Sequence, residues 1–227
     1  MNCGNSAAIQ DLDTITVCAW AYRNNLSSQV PIIAKGDTAA EIYFWMNNSS
    51  EVNCEITRAT INCAAYSNTN CAPTGSWLFF AASLNFNGAN GDQHLYSGNL
   101  TTLAAEVGAY AAQQVGGGAR TGSTHDLGIG NSPQGNQAWM TANHLVDVVG
   151  LFNTNLALSA IQDFQQHPRV LANCVGLWFP GRDGISTAFD RSSVGNNGTI
   201  YNATLDASVP LPIYKKTRHH QNLARAA

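Results

Sequence analysis

Apolar and polar residues alternate with a period of two along much of this chain, and the alternation predicts a series of short β-strands. In the run 14–22, Ile15, Val17 and Ala19 fall on one face and Thr16, Cys18 and Trp20 on the other. A second strand spans 30–34 and is ended by Lys35-Gly36-Asp37. A third spans 41–46 and turns at Asn47-Asn48-Ser49-Ser50, and alternation resumes over 52–61. The run 77–86 is long and apolar, which suits the centre of a sheet; a turn at 87–92 follows, and His94-Leu95-Tyr96 resumes. Over 103–119 the alanines favour a helix, but Gly108 and Gly116-Gly117-Gly118 oppose one, so a strand and then a flexible loop are expected. Residues 127–130 and 142–152 complete this series.

One helix interrupts the pattern. Ser159 is placed as its N-cap, with Gln162 three residues on completing a capping box. Residues 160–167 then make about two turns before Pro168, which cannot continue a helix. A further strand is expected at 174–179, followed by a turn-rich stretch at 190–199 and by Pro210 and Pro212. Strands of five to ten residues separated by Asn/Gly turns indicate an all-β, two-sheet antiparallel sandwich with one short helix near 159–167. No linker or repeat divides the chain. The expected organisation is one domain over 1–213, including a wrapping segment at 174–213, and a basic tail at 214–227.

Composition sharpens this picture at three points. Hydrophobic residues make up 44% of the 227 residues, enough for a sizeable core, while charged residues make up only 11%, against a usual ~25%. The shortfall is filled by Asn, Thr, Ser and Gly, which suits turn-rich β surfaces and extensive protein contact. A net charge of -3 does not steer the chain toward nucleic acid or acidic lipid. The exception is the tail, where Lys215, Lys216, Arg218 and Arg225 form a basic arm that could dock on an acidic neighbour. No apolar run reaches the ~18 residues of a membrane span, and the start has neither a basic nor a hydrophobic signal region. Synthesis in a cytoplasm without export is expected, and with it free thiols as the default for the six cysteines, while Cys54, Cys63 and Cys71 could still pair in an oxidising medium.

The order of these segments resembles the laminin-G-like family of the concanavalin A-like superfamily. Thr16-Val17-Cys18-Ala19-Trp20 is similar to that family's T-[IV]-x-A-W strand, and Ile33-Ala34-Lys35-Gly36 to its I-x-K-G strand end. Trp77 with Phe80-Ala81-Ala82 resembles W-x-x-[VF]-A, Leu95-Tyr96-Ser97-Gly98 resembles L-Y-x-[DN]-G, and Leu127-Gly128-Ile129-Gly130 matches L-x-I-G. Val146-Asp147-Val148-Val149 followed by 156–161 resembles the strand and helix that close the family pattern, with Gly150 where an Arg is expected. The likeness covers about residues 14–165. Leu177-Trp178-Phe179 and 190–200 resemble a W-x-F … D-x-S-G-x-G-N-x-G-T segment that usually precedes the family's first strand, and here it follows the helix.

That arrangement resembles virion proteins of tailed bacteriophages. The resemblance implies a non-catalytic jelly roll that decorates or cements a capsid or forms part of a tail or fibre. Its expected partners are other virion proteins, host-surface glycans and further copies of itself, with no nucleic acid and no membrane insertion. No cofactor is expected. Some relatives bind calcium through an Asp in the hairpin that is Ser97-Gly98 here, and no residue clearly takes its place.

Glycoside hydrolysis needs two opposed carboxylates, the resembling glucanases carry E-x-D-x-E, and the only close glutamates, Glu51 and Glu55, are expected to be a solvated strand end. His94, His125, His144 and His167 are scattered and fit polar loop positions, with no Gly-x-Ser-x-Gly elbow. Gly116-Gly117-Gly118 lacks the Lys and the helix of a phosphate loop. Most aromatics (Trp20, Tyr43, Trp45, Trp77, Phe79 and Trp178) are expected in the core because they sit within strands. Trp139, with Asn136 and Gln137, lies in a polar stretch, where it either caps the sandwich edge or serves as a ligand or partner contact. The alternatives to a virion part are a carbohydrate-binding, lectin-like module and, after it, a glycoside hydrolase of the same fold.

Overall fold

The computed structural model describes residues 1–36, 41–68, 70–119, 124–131, 144–201 and 203. In chain order the strands are β1 (Thr14–Tyr22), β2 (Val30–Lys35), β3 (Ile42–Met46), β4 (Val52–Ile56) and β5 (Cys63–Ser67). Then come β6 (Trp77–Asn85), β7 (His94–Asn99), β8 (Ala105–Glu106), β9 (Tyr110–Gln114), β10 (Leu127–Ile129) and β11 (Leu145–Phe152). Helix α1 (Leu158–Gln166) follows, and then β12 (Cys174–Trp178), β13 (Thr187–Ala188) and β14 (Gly198–Thr199). Two six-stranded antiparallel sheets result: a first sheet of order β12-β11-β1-β6-β7-β8 and a second of order β10-β2-β3-β4-β5-β9.

Between the sheets, the inward half of each alternating strand makes one core. Ile15, Val17 and Ala19 of β1 meet Phe80, Ala82 and Leu84 of β6 and Ile42, Phe44 and Met46 of β3 there. Trp178 of β12 closes the same interior and donates its indole N–H to the Asn196 carbonyl at 2.7 Å. At one margin the inward Lys35 forms a buried ion pair with Glu41, whose carboxyl burial pushes up and Lys35 pulls back.

The outer face of the first sheet is also buried, because α1 lies over it. Ile161 and Phe164 of the helix pack on Cys18, Trp20, Phe79, Val148 and Phe152. Gly150 stands where the family pattern has Arg, and the packing explains the change. A Cβ there would come within 2.7 Å of the Phe164 ring. Gly98 makes room in the same way for Gln165, whose amide nitrogen would be 2.8 Å from a Cβ at that position. Gln165 accepts from the Ala104 N–H at 2.6 Å and donates to the carbonyls of Asn99 and Thr102 at 2.9 Å each, so the helix holds the 99–104 turn with one side chain.

Several elements depart from the sequence expectation. The capping box does not form. Ala157 occupies the N-cap without a side-chain bond, and Gln162 donates to the Ala104 carbonyl instead. The strand expected over 52–61 stops soon after Ile56: the Thr57 N–H still reaches the Glu41 carbonyl in register at 3.2 Å, but the Arg58 N–H turns to the Asn62 side-chain oxygen at 3.3 Å. β5 was not expected at all, since CAAYS is short and alanine-rich, yet it pairs with β4 and β9. The region 103–119 holds two strands rather than one, and they enter different sheets.

The displaced C-terminal segment has a definite place. β12 extends the first sheet beside β11, and Asn2 exchanges backbone hydrogen bonds with Thr199 at 2.9 and 2.8 Å. Asp190 organises the stretch between them, accepting from the backbone N–H groups of Leu177, Ser192 and Asn196 and from the Ser192 hydroxyl. The stretch 174–199 thus joins the end of the first sheet to the start of the chain in space.

Candidate functional site

The outer face of the second sheet differs from the rest of the surface. In an antiparallel ladder, directly opposite residues share a face with their Cβ atoms about 5 Å apart. Pairing of β3, β4 and β5 places Trp45 opposite Asn53, and Asn53 opposite Tyr66. The adjacent row runs Tyr43, Glu55, Ala64 and, across β5, Gln114 of β9. Alternation in IYFWM and VNCEI explains the composition. The inward positions are Ile42, Phe44, Met46, Val52, Cys54 and Ile56, so the aromatic and polar residues between them must face outward.

Tyr43 and Trp45 stack with ring centroids 4.3 Å apart and planes 20° apart, and Tyr66 meets Trp45 edge-on at 6.0 Å. Together with Ala34 they form an apolar cluster separate from the core. Glu55 is embedded beside it. One carboxylate oxygen, Oε2, accepts from the Tyr66 hydroxyl and from the Asn62 amide nitrogen at 3.2 Å. Burial, and then the hydrogen bond donated to Glu55, push the Tyr66 phenol well above its usual range.

Among the described residues of this face, the indole N–H of Trp45 and the side-chain carbonyl oxygen of Asn53 are buried without a hydrogen-bond partner. Trp45 is 9% exposed and Asn53 5%. A buried donor or acceptor left unpaired costs about 1–3 kcal/mol. Here an orphaned donor and an orphaned acceptor are cross-strand neighbours, beside stacked aromatic rings and a carboxylate. A hydroxyl group, which accepts and donates at one oxygen, would satisfy both.

The face corrects several sequence readings. Glu55 is no solvated strand end, since it is tied into the sheet face by Tyr66 and Asn62. Glu51 is held apart in the preceding turn by the Asn47 amide. Four residues of extended chain span about 13 Å, more than the roughly 5–9.5 Å that separates paired glycosidase carboxylates. Tyr43, Trp45, Trp20 and Phe79 are buried as expected, Tyr43 and Trp45 in the cluster on this face and Trp20 and Phe79 under α1. His144 is buried, not a loop residue in water, and His94 begins β7 and bonds Glu106 at 2.8 Å. Trp139, Asn136 and Gln137, and the tail residues Lys215, Lys216, Arg218 and Arg225, lie outside the described residues. The six cysteines are free. Among the described residues no group of three or more His, Cys, Asp or Glu side chains could hold a metal ion.

The residues that sequence reasoning missed are Trp45, Asn53, Glu55 and Tyr66 as a set. Y-x-W and N-x-E, each at i and i+2, signal shared faces. The signal that joins them is strand pairing, which the sequence does not display.

No family model and no curated protein matches the sequence. Among solved structures, the fold is similar to a candidate carbohydrate binding protein of Bacteroides ovatus, with TM-score 0.53 and 12% identity over 86% of this chain. The chain spans 55% of that protein's length. The heptameric pentraxin of Limulus polyphemus matches at TM-score 0.45 and 12% identity, over 67% of this chain and 70% of its own. Domains LG4-5 of the mouse laminin alpha1 chain match at TM-score 0.37 and 12% identity, over 64% of this chain and 37% of theirs. The fold is an all-β sandwich of two antiparallel sheets with one short helix, and these neighbours are jelly-roll β-sandwich domains. These neighbours do not bear on the virion setting.

Proposed function

We propose that this chain is a non-catalytic carbohydrate-binding module, and that its ligand site is the outer face of the second sheet. The observation that carries the reading is the presence of two unpaired buried groups, Trp45 Nε1–H and Asn53 Oδ1, on directly opposite residues of β3 and β4. Apolar walls with a few well-placed polar groups are the general form of a small-ligand site, and aromatic rings beside hydroxyl-seeking groups suit a polyhydroxylated ligand. The likeness in fold to the Bacteroides candidate carbohydrate binding protein supports the same reading. The separation of Glu51 and Glu55 favours binding over two-carboxylate hydrolysis. Both orphaned atoms are covered in the free protein, so a ligand reaches them only when neighbouring side chains shift. Association slower than for a preformed open site is expected.

A glycan array, read with and without calcium, followed by calorimetry on the best ligand, tests the proposal. Trp45→Phe keeps a ring but removes the donor, and Asn53→Ala removes the acceptor. Each should weaken binding by roughly five- to tenfold. An array without any signal overturns the reading, as does binding that both variants leave unchanged. On a virus particle, the setting the sequence resemblance implies, such a module would serve as an adhesin. Mass spectrometry of purified particles that finds no trace of the chain would overturn that setting and leave the binding reading standing.

A further inference from the structure

The hydrogen-bonding inventory of this face goes further than a preference for sugars, and the inference rests on the carbohydrate reading above. Trp45 Nε1 needs an acceptor and Asn53 Oδ1 needs a donor. A carboxylate or sulfate ester can satisfy the first but not the second. An ammonium group can satisfy the second but not the first. A hydroxyl satisfies both. Beside this pair, diagonally across β3 and β4, stands the Glu55 carboxylate. Tyr66 and Asn62 occupy its Oε2, which leaves Oε1 as an acceptor in the half-exposed part of the face.

Charge points the same way. Among the described residues no Lys or Arg stands on this face to receive an anion. Lys35 is opposite the inward Ile42 and is ion-paired with Glu41. The Arg58 guanidinium lies 5.5 Å over the Phe86 ring and donates to the Gly118 carbonyl. A second carboxylate brought against Glu55 would meet a like charge in a half-buried site, where such repulsion is less screened than in open water.

We infer that this face selects neutral hexose residues, held through neighbouring hydroxyls by Trp45, Asn53 and Glu55, and excludes sugars that carry an acidic group. One hydroxyl bridges Trp45 and Asn53, and the next donates to Glu55 Oε1. Recognition of adjacent hydroxyls on one sugar follows from the row spacing of the sheet, with Tyr43–Glu55 next to Trp45–Asn53.

Calorimetric titration of the full chain at pH 7 with the methyl glycosides of glucose, galactose, mannose, glucuronic acid and glucosamine tests this. At least one neutral hexoside should bind, with the acidic sugar roughly 30-fold weaker or worse. In Glu55→Gln, binding of the neutral sugar should fall roughly tenfold or more, and the ratio of neutral to acidic affinity should collapse toward one. Glucuronide or glucosamine binding as tightly as the neutral hexosides overturns the inference while leaving carbohydrate binding intact. So does a Glu55→Gln variant with unchanged affinities. Absence of binding by every sugar overturns the carbohydrate reading itself. The wild-type ratio needs no variant, so a poorly folding substitution does not blunt the test.

Discussion

Each sheet carries a tryptophan on its outer face, and the two are treated differently. Trp20 of β1 lies under α1, 2% exposed, and its indole N–H reaches the Gln165 carbonyl at 3.3 Å. Trp45 of β3 is also buried, at 9% exposed, and its indole N–H reaches nothing. The face around Trp20 is finished: Phe164 fills the space over Gly150, and Gln165 satisfies three backbone groups. The face around Trp45 keeps an unpaired donor, an unpaired acceptor and a carboxylate with one occupied oxygen. Folding accounts for every group in the first case. In the second, the unpaired groups cost stability, and occupation by a ligand would return it.

The largest effect expected from this contrast is at the finished face. Phe164 is fully buried and meets Phe152 edge-on at 5.5 Å and 88°. Phe164→Ala should cost about 3–5 kcal/mol of folding stability, read as a fall in the midpoint of denaturant unfolding, and release of the helix should free the 99–104 turn to proteolysis. A loss below about 1 kcal/mol would mean that α1 is an ornament on the sheet and that the two outer faces are alike.

A matched pair of substitutions addresses the tryptophans directly. Trp20→Phe and Trp45→Phe remove similar volume from buried positions, but only the first breaks a hydrogen bond and strands the Gln165 carbonyl. The second removes an unsatisfied buried donor. Trp20→Phe should therefore be the more destabilising by about 1–2 kcal/mol, while Trp45→Phe alone should weaken sugar binding. Equal losses of stability in thermal unfolding would erase the distinction drawn here.

How much of this could be read from the sequence follows the range of the forces involved. Alternation in 14–22 and the long apolar run 77–86 report strands, which appear as β1 and β6, and the strand expected over 142–152 appears from Leu145 as β11. The one helix was visible from Pro168 and its spacing, but its cap was not. Gln162 and Gln165 are drawn off by the turn at Ala104, some sixty residues away in sequence. β5 escaped because its inward Cys63 and Ala65 and outward Ala64 and Tyr66 give almost no contrast in polarity. The site escaped for a related reason. Its residues lie on three strands, and each is unremarkable until cross-strand register brings Trp45, Asn53 and Tyr66 into one row.

A buried unpaired atom away from this face sharpens the comparison. His144, just before β11, accepts the Asn24 N–H on Nδ1 at 3.2 Å, and its Nε2 is buried without a partner. Burial, and secondarily the nearby Arg23, hold its pKa below the usual histidine value. Arg23 is itself fully buried, with its guanidinium donating to the carbonyls of Asn25, Ser28 and Asn47. Because the folded-state pKa is the lower one, the unfolded chain takes up the proton first as pH falls below about 6.5. Stability contributed by neutral His144 is present above that value and declines as pH drops toward and through the folded pKa, by at most about 1.4 kcal/mol per pH unit for one proton. His144→Asn retains an acceptor for the Asn24 N–H and cannot titrate, so the fall in melting temperature between pH 7.5 and pH 5 should be smaller in the variant than in the wild type. Sugar affinity at pH 7 should be the same in both. Parallel pH profiles would remove His144 as the source of the decline, and a loss of sugar binding in His144→Asn would mean that an unpaired buried atom by itself does not mark where this protein holds its ligand.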